Sequence, residues 1–152
     1  MPTVSVSLDY AGRPVIALYI GISAAAPAEL FTARLAPTAL SVRALVDTGA
    51  SRTVVEERFV AELGLDATGE IPFRSATTGA HAVNGKLYAV SVASADSAAG
   101  ILAPNLEIVA VEDLSAFEVQ ALLGRDILNS CVLLYNGPAR TINLAFPPLE
   151  QP

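Results

Sequence analysis

Tryptophan is absent from these 152 residues, and cysteine, histidine and methionine each occur once. One cysteine, Cys131, excludes an intrachain disulfide and a thiolate metal site built by a single chain. It sits in an apolar stretch, where a small buried hydrophobe is expected. One histidine, His81, leaves a nucleophilic triad or a histidine-based metal site without partners. Lys and Arg number nine against fifteen Asp and Glu, for a net charge of −6. The nine are scattered, so no basic stripe can follow a phosphate backbone, and we expect no nucleic-acid partner. Every apolar stretch is broken by Gly, Pro, Ser or a charge well short of the ~18 residues a membrane helix needs, so we expect no membrane span. The opening Met1-Pro2-Thr3-Val4-Ser5-Val6 shows no basic region leading into an apolar core, and a cytoplasmic, reducing setting is the expectation.

The chain is 53% hydrophobic and 16% charged, which suits a folded domain. At this length we expect a single domain, residues 1–152. The pattern is mostly β. Val4, Val6 and Leu8 alternate with serines, the period of a half-buried strand. Val15–Ile22 reads as a second strand after a turn over 9–14, and Phe31–Leu35 and Leu40–Val46 as two more. Residues 54–63 predict a helix with Val55, Phe59, Val60 and Leu63 on one face. There Thr53 would be the N-cap, Glu56 would complete a capping box, and Gly64 would end the helix. Glu56, Glu57, Arg58 and Glu62 would form its solvated face. A hairpin is expected over Ile71–Val92, with a polar tip that includes His81. Leu106–Val111 predicts a strand, 124–129 a short helix, and Cys131–Tyr135 with Thr141–Phe146 a closing hairpin.

The chemistry concentrates in Leu45-Val46-Asp47-Thr48-Gly49-Ala50-Ser51. Two apolar residues end a strand in the core, and a carboxylate follows at once. A lone buried carboxylate is costly unless it is hydrogen-bonded or neutralised. Gly49 lets the backbone turn tightly with its N–H facing that carboxylate. Thr48 adds a hydroxyl able to hold a neighbouring loop. An Asp-x-Gly turn can also be purely structural. Peptide hydrolysis without a metal needs one group to activate water and another to protonate the departing amine. Two carboxylates about 3 Å apart fill both roles because they share a proton. This chain holds one Asp-Thr-Gly, so a two-fold dimer would have to supply the second.

The segment 45–51 resembles the active-site pattern of retropepsin-like aspartic proteases, and Leu122-Leu123-Gly124-Arg125-Asp126-Ile127-Leu128 resembles the segment that backs the catalytic loop in that family. The resemblance runs over roughly 41–146. It implies a mostly β fold, a retropepsin-like acid-protease β-barrel with one or two short helices, active as a homodimer on extended peptides without a cofactor or metal. It implies that Asp47 is the catalytic carboxylate and that Thr48, Gly49, Ala50 and Ser51 support the catalytic loop. Thr48 would lock the two loops together across the dimer. Thr77, Thr78, Gly79 and Ala80 would form a flap over substrate, and Leu123, Gly124 and Arg125 would stand behind the active site. Retroviral members carry an Asp where this chain has Ser51, so Arg125 needs another partner. Asp126 is expected to be a helix-start acid balancing Arg125, and the family's terminal strand pairing would fall on Thr141–Phe146. A catalytically silent dimer that binds peptides or assembles a complex stays open as the alternative.

Overall fold

The computed structural model describes residues 2–32, 35–74, 82–95 and 100–147. Strands dominate: β1 (Thr3–Ser7), β2 (Val15–Ile22), β3 (Ala39–Val46), β4 (Val54–Glu56), β5 (Gly69–Phe73), β6 (Val83–Ser94), β7 (Ile101–Val111), β8 (Ala121–Leu123), β9 (Val132–Asn136) and β10 (Thr141–Ala145). Two short helices interrupt them, α1 (Glu57–Glu62) and α2 (Arg125–Leu128). No helix among the described residues is long and apolar enough to cross a membrane.

Seven strands pair in the order β2-β3-β8-β4-β7-β6-β5, and β2 also pairs with β6. That extra pairing closes a ring of six strands into a barrel, which removes their free edges. β6 is twelve residues long and carries register shifts between Val90 and Ala93 where it passes from β5 to β2. Such bulges bend a strand, and a strand shared by two neighbours on one side has to bend. The barrel interior takes the alternate residues Ile16, Leu18 and Ile20 of β2 and Val42 and Ala44 of β3. They meet Val90, Val92, Ile108 and Leu123, all buried. Each buried Leu or Ile contributes about 1.5–3 kcal/mol, so this interior fixes the strand register.

A smaller sheet, β1-β10-β9, closes the chain end on its beginning. Thr3 stands opposite Ala145, and Ala145 opposite Val132. Val4, Ile142 and Leu144 point inward and are buried. The hairpin turn between β9 and β10 is held by Asn136, whose side chain accepts the Ala139 N–H at 3.0 Å.

Three expectations are corrected. The helix foreseen over 54–63 begins only at Glu57, because Val54–Glu56 is a strand pairing with β7 on one side and β8 on the other. Both Val54 and Val55 are buried, and a β-branched pair enclosed on both faces favours extended backbone. The capping box does not form, since the Glu56 side chain makes no cap bond. Instead Glu56 is buried, accepting the Leu114 N–H at 3.3 Å and pairing with Arg58 at 3.1 Å. The described residues of the strand foreseen over 31–35 are not extended into one: Ala28–Phe31 is a 3-10 turn after Pro27, Phe31 and Leu35 are exposed, and residues 33–34 lie outside the described residues.

Candidate active site

β3 and β8 run parallel, with Leu45 beside Leu122 and Val46 beside Leu123. Val46 and Leu123 are buried, while Leu45 and Leu122 are half-buried, and the chain leaves both strands at the same level. Asp47 follows Val46 there, half-buried. Its backbone N–H donates to the Leu123 carbonyl at 3.0 Å, and its own carbonyl accepts from Ala50 at 3.2 Å. The turn brings the Gly49 N–H to 2.9 Å from Asp47 Oδ1. A Cβ on Gly49 would stand 3.1 Å from that oxygen, which is why glycine belongs here. The second carboxylate oxygen has no partner among the described residues.

Thr48 is exposed, and its hydroxyl likewise has no partner among the described residues. Its carbonyl accepts from Arg125 Nη1 at 2.8 Å, while the Arg125 N–H donates to the Ala50 carbonyl at 2.9 Å. Arg125 thus finds its partners in the loop's own backbone. Leu123 is fully buried behind Asp47. A Cβ on Gly124 would lie 2.5 Å from the Arg52 carbonyl carbon, so the two segments touch through backbone alone. Ser51 is exposed at the loop's end.

Asp126 does not balance Arg125. Its carboxylate takes the Thr53 N–H at 2.8 Å and the Thr53 hydroxyl at 2.7 Å. The same Thr53 hydroxyl accepts the Gly124 N–H at 3.1 Å. This clamp closes the back of the loop and was missed from sequence, although Asp126 lies in the very segment that carried the resemblance. The flap assignment, Thr77, Thr78, Gly79 and Ala80, lies outside the described residues, as does His81.

Asp47 opens into a cleft of about 310 Å³ whose walls are largely apolar, with Leu45, Val54, Leu114, Phe117 and Leu122. Arg52 and Arg74 line it as well. Among the described residues no group of three His, Cys, Asp or Glu side chains could hold a metal ion. Cys131 is a poor nucleophile, because burial pushes its thiol pKa up and thiolate is the reactive form.

The "gag-polyprotein putative aspartyl protease" family model matches residues 38–130. The chain belongs to that family. A retropepsin-like aspartic protease from Rickettsia conorii superposes with a TM-score of 0.60 at 16% identity, over 93% of this chain and 89% of that one. The fold is therefore retropepsin-like. EIAV protease, solved with an inhibitor, gives a TM-score of 0.46 at 16% identity over 82% of this chain and 92% of that one. The retroviral protease-like domain of Ddi1 from Leishmania major gives 0.43 at 14% over 90% and 97%. No curated protein matches the sequence.

Proposed function

We propose that two copies of this chain, each a single domain over 1–152, form a homodimeric aspartic endopeptidase acting on extended peptides. The observation that carries the reading is Asp47. One oxygen is held by the Gly49 N–H and the other has no partner among the described residues, at the wall of a largely apolar cleft. In the dimer a water lies between two Asp47 carboxyls that share one proton. The ionised carboxyl takes a proton as the water oxygen attacks the scissile carbonyl carbon, and the protonated one gives its proton to the carbonyl oxygen, forming a tetrahedral diol. In the collapse, the now ionised carboxylate takes a proton from one diol hydroxyl, the other carboxyl gives its proton to the nitrogen, the C–N bond breaks, and acid and amine leave with the dyad again sharing one proton. Thr48 locks the two loops across the two-fold axis. Its hydroxyl, without a partner among the described residues, supports that role. Residues 77–80 serve as the flap, and no metal or cofactor takes part. A cytoplasmic setting suits the free thiol of Cys131.

The surface best suited to pairing is β9. Thr141–Ala145, the strand foreseen at the interface, is flanked by β1 and β9 and has no open edge. β9 is an edge strand in the described sheet. It carries no charge or proline, and its Val132 and Leu134 are 62% and 55% exposed. The opposite edge, β1, exposes Thr3, Ser5 and Ser7 instead. Unprotected apolar edges invite strand pairing, and antiparallel β9 pairing about a two-fold axis is self-complementary.

The test is cleavage of a peptide library by wild type and by Asp47→Asn. Cleavage by wild type alone supports the reading. Equal cleavage by both removes Asp47 as the catalyst, and tight binding without cleavage by either favours the silent binding module.

A further inference from the structure

We infer that the cleft beside Asp47 selects peptides in which a bulky apolar residue is flanked by an acidic one, read by Arg52 and Arg74. The inference rests on the proposed reading of this cleft as the substrate site. The chain is acidic, at −6, with nine basic residues in all, yet two of those nine line this one cleft. Among the described residues, Asp47 is the only carboxylate on its walls. Arg13 and Arg58 are spent on ion pairs, and Arg125 and Arg140 donate to backbone carbonyls. Arg52 and Arg74 have no hydrogen-bond or ion-pair partner among the described residues. Two arginines with no partner among the described residues, lining a largely apolar cleft, offer a site for a carboxylate, which Arg can grip through two parallel hydrogen bonds.

Placement strengthens the point. Arg52 follows the catalytic turn directly, and its backbone is wedged against Gly124, so its side chain leaves from a fixed point. Arg74 follows β5 directly after Phe73, which lines the same cleft. Two carboxylates of the chain lie near Arg52 in an adjoining depression, Glu107 and Asp126. Asp126 is committed to Thr53, which leaves exposed Glu107 as the one competitor among the described residues. Low-dielectric walls raise the weight of a charge match over the same match in open water.

The experiment uses peptides with a fixed bulky apolar residue and Glu, Gln or Lys at each neighbouring position. kcat/KM is measured for wild type, Arg52→Gln, Arg74→Gln and the double variant, with melting temperatures checking that each folds. At low salt we expect Glu to be favoured over Gln by roughly three- to tenfold at one or more positions, with Lys worst. Each single variant should shrink that ratio, the double variant should abolish it, and high salt should weaken it. Equal rates for Glu and Gln in wild type, or a ratio that survives in the double variant, overturns the inference while leaving the endopeptidase reading intact. If wild type cleaves nothing, that reading fails separately, and the same peptides are tested for binding to Asp47→Asn. A Glu preference lost in the double variant then supports the inference. Equal binding, or none, overturns it.

Discussion

The Asp126 carboxylate grips Thr53 twice, through its backbone N–H at 2.8 Å and its hydroxyl at 2.7 Å, across 73 positions of sequence. Thr53 is fully buried, so removing the carboxylate leaves buried donors without an acceptor. We expect Asp126→Ala to lower the unfolding free energy by about 2–3 kcal/mol, and Asp126→Asn by less, in urea denaturation. A change under a few tenths of a kcal/mol would show that the clamp is dispensable.

Gly124 bears on the same junction. Its backbone lies where a methyl group would strike Arg52. Gly124→Ala should cost about 1–3 kcal/mol through overpacking, and Leu123→Ala about 2–5 kcal/mol through an unfilled cavity. Calorimetric melting would reveal both losses.

The β9 edge makes a prediction about assembly. Leu134 is exposed in the single chain, so Leu134→Lys should leave the fold intact while placing like charges against each other in a β9 pair. Sedimentation should find a monomer, and peptide cleavage should fall with it. A Leu134→Lys protein that dimerises as tightly as wild type would move the interface elsewhere.

Acidity acts on stability through two carboxylates outside the cleft. The Arg13 backbone N–H, aided by the Arg13 side chain, holds Asp9 below the usual carboxylate range, and the Ser115 backbone N–H does the same for Asp113. A group depressed in the folded state contributes stability above its unfolded pKa and loses it as pH falls through the folded value. Melting temperature should therefore be flat with respect to these two groups above about pH 5 and drop below about pH 4. Asp9→Asn should flatten part of that drop. An unchanged acid limb in a variant carrying both Asp9→Asn and Asp113→Asn would assign it to other groups.

Much of this architecture is legible in the residue pattern, since local periodicity marks the strands around Leu18, Val42 and Ile142. The Asp-Thr-Gly turn and Leu-Leu-Gly-Arg fix the two halves of the candidate site. What escapes is non-local. Val54 and Val55 continue the apolar spacing of the helix behind them, and only parallel pairing with β7 and antiparallel pairing with β8 make them a strand. Thr53 and Asp126 meet because two loops cross, which no spacing rule reports. Arg52 and Arg74 are far apart in sequence and share a cleft only once the barrel closes.

The most direct measurement is subunit mixing. Wild-type protein at fixed concentration is equilibrated with increasing Asp47→Asn protein, and peptide cleavage is followed. If each active site takes one Asp47 from each protomer, random pairing with a ninefold excess of the variant lowers activity about tenfold. Cleavage that stays constant while mixed dimers form would mean that one copy of Asp47 is enough, and the shared-proton mechanism would be wrong.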